Sequence, residues 1–307
     1  MKHITVTISD ISKRLDVFLS ERTGITRSQV QRLIKDSYIL VNNKKVNQGY
    51  RIKKDDAITI EKPEEKTDTL IPEPIPIRIL FMDDYLAVID KPAGMVVYPA
   101  AGHKRGTLLN ALAYHSKKLA SIGAPLMPGV VHRLDKETSG IMVVALDDTA
   151  YYDLVEQFKK RTIQRKYTAI VLGYLKKDEG EISLDIGRSA SDRKKMSTKT
   201  KRGKEAVTRW KVIKKLKNAA LIEARLGTGR THLISVHFSA IGHPVLGDRI
   251  YGKKTFIEIN KNKIYIPRQM LHAETLGFVH PISKEYLEFS SPVPEDMEEC
   301  IKKLSVS

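Results

Sequence analysis

Residues 61–76 constrain the architecture more than any other part of the sequence. The segment reads EKPEEKTDTLIPEPIP and combines charged residues with four prolines and no hydrophobic period. Proline lacks a backbone donor and fixes its own φ angle, so the segment is predicted to be an extended linker. The chain of 307 residues is therefore expected to contain two domains, over residues 1–60 and 77–307.

The first sixty residues predict two short helices followed by short strands. Leu15, Phe18 and Leu19 recur at helical spacing and form one apolar stripe. Thr26 and Gln29 have the spacing of a capping box, which places the start of a second helix there. The polar face of this second helix is basic, with Arg27, Arg32 and Lys35 on or near it.

This part of the chain resembles the S4 RNA-binding domain, a small α/β domain. The matching residues are Arg14-Leu15-Asp16, Phe18-Leu19, Arg27-Ser28, Leu33-Ile34-Lys35, Val41-Asn42 and Asp56. Asn43 and Asp55 stand where that family usually has glycine. The resemblance implies a domain that binds structured RNA, with Arg27, Arg32 and Lys35 as candidate RNA-binding residues. It covers about the first fifth of the chain.

Beyond the linker, runs of strand length alternate with helical patterns. The predicted strands are residues 85–90, 141–146, 166–173, 206–213 and 220–225, and the predicted helices are residues 108–119 and 150–158. Asp148 is expected to cap the second of these helices. The pattern predicts an α+β domain with a large, mainly antiparallel sheet.

The charge balance narrows the choice of partner. Lys and Arg total 53 against 36 Asp and Glu, a net charge of +17, which favours a polyanion. Cys300 is the single cysteine, so an intrachain disulfide or a cysteine-ligated zinc site is excluded. We expect a cytoplasmic protein without an obligate protein partner, because no apolar run approaches the roughly 18 residues that cross a bilayer and no long amphipathic seam is present.

The segment from His132 to Gly140 is the most distinctive motif. It reads HRLDKETSG and leads directly into the apolar strand 141–146, which would fix Asp135 at the edge of a rigid element. Taken alone, Asp135 is better explained as an acceptor of turn hydrogen bonds or a partner of Arg133 than as a catalytic group.

Four separated segments, in order, resemble the RluA-type pseudouridine synthases. They are residues 90–97 (DKPAGMVV), residues 132–140, Arg165-Lys166-Tyr167, and residues 228–232 (TGRTH) continuing through Gly242-His243-Pro244 to Gly247-Asp248 and Tyr251-Gly252. The resemblance implies a mixed, mostly antiparallel sheet with a central catalytic cleft. It also implies a cofactor-free RNA isomerase acting on large-subunit ribosomal RNA, with transfer RNA left open as a substrate.

By resemblance, Asp135 is the nucleophile, Tyr167 packs on the uracil and assists proton loss at C5, and Arg133 holds the flipped-out base. The further substrate-binding candidates are His132, Arg230, Arg165 and Lys166. Outside the family context, Tyr167 is also consistent with a core aromatic residue and Arg133 with a phosphate contact.

One motif departs from the family pattern. Leu233 stands where relatives usually have Gln, and Ser235 where they have the Arg that pairs with the catalytic aspartate. Such a cation keeps a carboxylate ionised, and serine has no charge to offer. Three outcomes are open: Arg230 or Arg133 substitutes, the enzyme is slowed, or the chain is an inactive RNA-binding or ribosome-assembly factor.

The sequence also contains a cluster of histidines and two basic segments. His232, His237 and His243 could suggest a metal, but a five-residue spacing suits neither one helix face nor one strand face, so structural roles and no metal are expected. A basic segment, Arg188 to Lys204, and a second basic patch beside Tyr167, residues 159–166, are expected to contact RNA phosphates. A hydrolase that releases free uracil through Asp135 is a further alternative.

Overall fold

The structure, a computed structural model, describes residues 2–4, 6–24, 26–60, 69–100, 102–190, 192, 195–200, 202–259 and 262–305. It divides the chain into two units, Met1–Asp68 and Thr69–Ser307. Of the predicted linker, residues 61–68 lie outside the described residues.

Residues 69–76 form neither helix nor strand, yet they belong to the second unit. The Asn110 side chain donates to the Ile71 carbonyl at 2.7 Å, and the Glu73 amide donates to the Asn110 carbonyl at 2.9 Å. The second unit thus begins at Thr69 rather than at the predicted residue 77. The prolines prevent regular structure there, but the intervening backbone groups still find partners in the second unit.

The first unit packs two helices with a four-stranded antiparallel sheet of order β1-β4-β2-β3. Its elements are β1 Lys2–Ile4, α1 Leu15–Thr23, α2 Arg27–Lys35, β2 Ile39–Val41, β3 Lys44–Lys45 and β4 Ile58–Ile60. Leu15, Phe18 and Leu19 are fully buried, which confirms the predicted stripe. The capping box of Thr26 and Gln29 is also present.

The turns of this unit keep the backbone geometry that glycine would provide. Asn43 and Asp55 have positive φ angles of 58° and 67°. Asn and Asp enter the left-handed region more readily than most residues, because their short polar side chains can bond locally. The turns therefore form without the family glycines.

The second unit is built on a large sheet. Its strands are β5 Arg78–Met82, β6 Leu86–Lys91, β7 Ser139–Ala145, β8 Gln164–Leu172, β9 Glu179–Ser183, β10 Gly187–Arg188, β11 Met196–Ser197, β12 Val207–Leu216, β13 Ala219–Leu226, β14 Phe256–Ile259, β15 Asn262–Tyr265, β16 Leu271–Val279 and β17 Tyr286–Ser290. Its helices are α3 Leu108–His115, α4 Asp148–Lys160, α5 Leu233–Ala240 and α6 Glu295–Ser305. Among the described helices, none has the length and apolar character needed to cross a bilayer.

Within the described residues, nine strands join in the order β5-β6-β7-β16-β8-β13-β12-β9, and β17 pairs with β16. The β7/β16 pair is parallel and the other pairs are antiparallel, so the predicted α+β fold with a mixed, mainly antiparallel sheet is confirmed. The parallel pair spans two residue pairs, Ser139 with His272 and Gly140 with Ala273. Gly140 has φ 113°, and a Cβ there would collide with the Ala273 carbonyl.

Two helix boundaries differ from the sequence prediction. Asp147, not Asp148, caps α4, because its extended backbone lets the carboxylate accept the Thr149 amide at 2.9 Å. Asp148 instead accepts the Ser121 amide at 2.6 Å. Helix α3 ends at His115, since the Ser116 hydroxyl bonds the Lys118 carbonyl at 2.6 Å and competes with continued helix.

Candidate active site

A cleft of about 570 Å³ opens in the second unit and collects most of the predicted site. This volume is within the usual range of roughly 300–1,000 Å³ for small-molecule pockets. Asp135 lines the cleft from the loop before β7, and Arg165 and Tyr167 line it from β8. Arg133 and Arg230 also line it. Residues distant in sequence therefore meet at one place.

Asp135 has few close partners. Its side chain is 26% exposed, and Oδ1 lies 3.5 Å from His232 Nε2 and 4.0 Å from Arg133 Nη2. The Thr138 amide bonds the Asp135 backbone carbonyl at 3.1 Å and closes the turn. The carboxylate is therefore held near positive or donor groups without being saturated by them.

Two buried cations anchor the backbone that follows Asp135. Lys91 is fully buried, and its Nζ donates to the carbonyls of Pro92, Met95 and Lys136 at 2.8, 3.0 and 3.2 Å. Arg268 Nη1 donates to the Glu137 carbonyl at 3.1 Å. Burial lowers the pKa of Lys91 to about 7, and the nearby Asp135 charge opposes this shift.

The Lys91 contact was missed at the sequence level, where this lysine was only part of a motif. The available signal was a lysine directly after an apolar run, a position that becomes buried when that run forms a central strand. The carbonyls that it reaches come from a loop far along the chain, which the sequence does not indicate.

Tyr167 and Arg165 project from β8 into the cleft. Tyr167 is 8% exposed, and burial raises the pKa of its phenol; the Arg165 charge opposes the rise and the Asp135 charge adds to it. Tyr167 is accordingly protonated at neutral pH in the free protein. Arg165 lies over the Phe158 ring at 5.5 Å. Among the described residues, its buried Nε atom has no hydrogen-bond partner.

Lys166 is not part of the cleft lining, which argues against its predicted contact with the substrate. Alternate residues of a strand face opposite sides of a sheet, so Lys166 points away from Arg165 and Tyr167. Its Nζ pairs with Glu274 Oε1 at 2.8 Å. The alternation was readable in the sequence and would have separated Lys166 from its neighbours.

His132 lines the cleft but uses one ring nitrogen within the protein. Nε2 accepts the Val143 amide at 3.0 Å, and the ring packs on Phe158 with centroids 4.7 Å apart. Burial lowers the pKa of His132 to about 3, and the charge of Arg165 adds to the shift. His132 is a neutral, structural part of the cleft wall at physiological pH.

The two proposed substitute cations differ in position. Arg133 is half exposed and, besides approaching Asp135, donates from Nη1 to the Tyr98 hydroxyl at 3.4 Å. Arg230 donates from Nε to the Glu205 carbonyl at 3.0 Å. Of the two, Arg133 is the one that reaches Asp135.

Ser235 is buried in a hydrogen-bond network centred on Gln269. Its Oγ accepts a hydrogen bond from Gln269 Nε2 at 2.5 Å, and Thr138 Oγ1 donates to Gln269 Oε1 at 3.2 Å. Gln269 also donates to Asp248 Oδ2 at 3.1 Å. Leu233, the other departure from the family pattern, is 3% exposed and lines the cleft. Ser235 therefore supports the turn after Asp135 but supplies no charge.

The remaining histidines have separate partners. His237 bonds Thr208 Oγ1 and the Leu184 carbonyl, each at 2.9 Å, and His243 bonds the Leu172 carbonyl at 2.9 Å. Over the described part of the chain, no group of three or more His, Cys, Asp or Glu side chains is arranged to hold a metal ion. His232 alone of these three reaches the cleft.

The basic face of the first unit is partly committed to the protein itself. Arg27 is half exposed, and its Nε pairs with the buried Asp16 at 2.9 Å. The Arg32 side chain is 84% exposed and lies 3.8 Å from Asp36, and Lys35 is exposed. Arg32 and Lys35 are thus the more available of the three predicted contacts.

The basic segment 188–204 is described in part. Arg193, Lys194 and Lys201 lie outside the described residues. Lys199 and Arg202 are exposed beyond the short β10/β11 hairpin. Their positions are compatible with phosphate contacts.

Comparisons with known proteins show the family of this chain. Residues 85–240 match the family described as RNA pseudouridylate synthase, and residues 13–58 match the S4 domain. An uncharacterized RNA pseudouridine synthase, YlyB, from Bacillus subtilis is 43% identical, with 99% of each chain covered. A ribosomal large subunit pseudouridine synthase D from Zymomonas mobilis is 41% identical, with 100% of this chain and 98% of the relative covered.

Solved structures show the same fold. Human RNA pseudouridylate synthase domain containing 4 superposes with a TM-score of 0.54 at 25% identity, over 74% of this chain and 92% of the other. Human RNA pseudouridylate synthase domain containing 1 gives a TM-score of 0.55 at 24% identity, over 75% and 94%. This chain belongs to the RNA pseudouridine synthase family, isomerases that act on RNA, and it carries an S4 domain ahead of its catalytic domain.

Proposed function

We propose that this protein converts uridine to pseudouridine in large-subunit ribosomal RNA, in the cytoplasm, with Asp135 as the nucleophile. The observation that carries the assignment is a partly exposed carboxylate in a cleft of about 570 Å³, without a saturating partner. The choice of RNA is supported by the similarity to the Zymomonas protein, by the S4 domain and by the net charge of +17.

The reaction is an isomerisation and balances without a co-reactant. The C1′–N1 bond breaks, the uracil turns, and a C1′–C5 bond forms; C5 loses its proton and N1 gains one. A carboxylate that attacks either the sugar C1′ or the base forms a covalent intermediate and keeps the detached base in the site. Asp135 is suited to either attack, and the point of attack stays open.

Tyr167 and Arg133 are assigned different tasks around the flipped uridine. The Tyr167 ring offers a flat surface for the uracil, as flipped bases require. Removal of the C5 proton by Tyr167 would require its phenolate, which the raised pKa of Tyr167 opposes, so packing is its principal role. Arg133, half exposed at the cleft, is placed to occupy the gap that the uridine leaves in the RNA.

Phosphate contacts would supply affinity and register. Lys159, Arg161, Arg165 and Arg230 line the cleft, so positive charge surrounds the single carboxylate of Asp135. Arg161 is paired with Glu205 at 2.9 Å, whereas the Arg165 Nε donor is unspent among the described residues. Arg165 lines the cleft beside Tyr167 and is a candidate for a phosphate contact through its guanidinium, and binding should weaken steeply with salt.

Ser235 favours one rival, a catalytically impaired or inactive RNA-binding or ribosome-assembly factor. The position that carries a cation in relatives holds a buried hydroxyl bonded to Gln269. Arg133 at 4.0 Å and His232 at 3.5 Å favour retained chemistry instead, because both approach the carboxylate. Turnover separates the two functions.

The decisive experiment is tritium release from 5-tritiated uridine in transcribed large-subunit rRNA. The intact protein is compared with Asp135→Ala and with Asp84→Ala, a matched change at an exposed turn between β5 and β6. We expect release by the intact protein and by Asp84→Ala, and a loss of about 10⁴-fold or more for Asp135→Ala, as for removal of a nucleophile.

The other outcomes each carry a conclusion. Salt-sensitive RNA binding without tritium release, including on assembly intermediates and transfer RNA, would support the assembly-factor rival. Release of free uracil would identify a hydrolase. Equal tritium release by the intact protein and Asp135→Ala would overturn the role of Asp135.

A further inference from the structure

We propose that His232 is the positioning residue for Asp135, and that the Tyr251 phenol fixes the tautomer of His232 that does this. The inference rests on the proposed role of Asp135 as nucleophile. His232 Nε2 lies 3.5 Å from Asp135 Oδ1, and His232 Nδ1 lies 2.8 Å from the Tyr251 hydroxyl. The imidazole thus lies between the phenol and the carboxylate.

The backbone of His232 is held in an unusual conformation that brings its ring to the cleft. His232 is the N-cap of α5 with φ 55° and ψ 26°, in the left-handed region. Residues with a Cβ seldom adopt this region, and such outliers persist where the surrounding structure enforces them. The ring stands edge-on to Tyr251, with centroids 5.6 Å apart.

The hydrogen-bond pattern determines where the proton of His232 resides. The Met196 amide donates to the Tyr251 hydroxyl oxygen at 2.9 Å, so that oxygen already accepts a bond. Burial raises the pKa of Tyr251 to about 12, which keeps the phenol protonated at neutral pH. The phenolic proton then has His232 Nδ1 as its acceptor, so the ring carries its own proton on Nε2, facing Asp135.

With its proton on Nε2, His232 can donate to the nucleophile. The distance of 3.5 Å is long for a hydrogen bond, but such bonds often tighten when the substrate fills the site. Arg133 also approaches Oδ1, at 4.0 Å. The shortest contact of each side chain is with Oδ1. The bond would orient the carboxylate.

The test uses full-length protein and four variants: His232→Ala, His232→Gln, Tyr251→Phe, and His232→Gln with Tyr251→Phe. A glutamine amide places an N–H group close to the position of Nε2 and has no tautomers. Single-turnover rate constants for tritium release are measured together with RNA affinity and melting temperature.

For His232→Ala we expect a single-turnover rate about 10- to 100-fold lower, the range found for groups that orient a reacting ligand. RNA affinity should change less than about twofold, since the contact is to Asp135 rather than to phosphate. His232→Gln should recover most of the rate. Tyr251→Phe should slow the intact protein severalfold but leave the rate of the His232→Gln background nearly unchanged, because glutamine needs no tautomer control.

Two results would overturn the inference. Equal rates for His232→Gln and His232→Ala would show that the donor does not matter, and an equal effect of Tyr251→Phe in both backgrounds would show that the phenol acts through the fold. An independent readout is the nitrogen-15 NMR spectrum of His232, assigned by comparison with His232→Gln. The ring should be protonated on Nε2 in the intact protein and become a tautomer mixture in Tyr251→Phe.

The NMR readout keeps the inference separable from the proposed function. An intact protein that releases no tritium would refute the isomerase assignment, while the tautomer would still be observed. A ring protonated on Nδ1 would refute the arrangement whatever the activity.

Discussion

Asp16 in the S4 domain and Asp135 in the catalytic domain are both carboxylates near arginine, but the protein treats them in opposite ways. Asp16 is fully buried and accepts bonds from Arg14 Nε at 3.0 Å, Arg27 Nε at 2.9 Å and Gln31 Nε2 at 2.6 Å. Asp135 is 26% exposed, and its nearest donors lie at 3.5 and 4.0 Å.

The difference separates a structural carboxylate from a reactive one. The Arg14 guanidinium, with Gln31 and Arg27, holds the pKa of Asp16 well below its usual range despite burial. Its lone pairs are spent on donors, so Asp16 cannot act as a nucleophile. The donors around Asp135 are fewer and more distant, which leaves an oxygen for chemistry. A motif aspartate is therefore best judged by the number of its hydrogen bonds.

Among the variants that test this comparison, Asp16→Asn should have the largest effect, a loss of stability of the S4 domain. Removing one partner of a buried ion pair typically costs 3–5 kcal/mol, but the arginines here are partly exposed, so we expect about 2 kcal/mol. Hydrogen exchange in α1 and α2 of the full-length protein would measure the loss. The rate of tritium release with saturating RNA should be unchanged. Asp36→Asn, at an exposed ion pair, is the control and should cost less than about 0.5 kcal/mol.

The lowered pKa of Asp16 predicts that the S4 domain loses stability at acid pH. Because the folded-state pKa of Asp16 lies below its unfolded value, its stabilisation is fully present at neutral pH and is lost as pH falls below about 4. Asp16→Asn should show a weaker dependence of stability between pH 3 and pH 7. An equal dependence in both proteins would mean that other groups cause the transition.

Arg165→Met tests whether Arg165 contacts an RNA phosphate. Arg165 lines the cleft, and its Nε donor has no partner among the described residues. We expect RNA affinity to fall about tenfold and the slope of affinity against salt to shrink by about one phosphate contact. Lys166→Met is the matched neighbour on the opposite face of β8, where Lys166 is paired with Glu274. It should change affinity less than about twofold. Equal losses of RNA affinity in both variants would contradict the assignment of a phosphate contact to Arg165.

Ser235→Arg should have the smallest effect of these variants, a minor change in the single-turnover rate. Arg133 and His232 already approach Asp135, so a further cation should change the single-turnover rate less than about threefold at neutral pH. A much larger increase would show that the role of the family arginine is unfilled in this chain. RNA affinity and melting temperature serve as controls, because the substitution also disturbs the bond to Gln269.

Sequence patterns identified those features of the fold that depend on local interactions. The apolar stripe of α1, the capping box of α2 and five strands of the central sheet, β6, β7, β8, β12 and β13, follow from spacing and residue type. The other four strands of that sheet, β5, β9, β16 and β17, were not predicted. The cap of α4 was assigned to Asp148 instead of Asp147 because adjacent aspartates have the same propensity, and only the backbone angles separate them. The family motifs selected five residues that all line one cleft in the structure: Asp135, Tyr167, Arg133, Arg165 and Arg230.

The remaining site residues depend on contacts that spacing does not encode. His232 was read as one of three histidines, and its approach to Asp135 arises from the left-handed backbone at the start of α5. Lys91 reaches the Lys136 carbonyl only because β6 and β7 are adjacent in the sheet. The predicted substrate contact of Lys166 did not take strand alternation into account, and in the structure Lys166 pairs with Glu274 outside the cleft lining.

The parallel joint between β7 and β16 has a mechanical consequence for the cleft. Two residue pairs join these strands, whereas six join β6 to β7 and six join β16 to β8. The sheet is therefore cross-linked most weakly beside the loop that carries Asp135. We expect bending of the sheet to meet least resistance along this line, where Gly140 packs against Ala273.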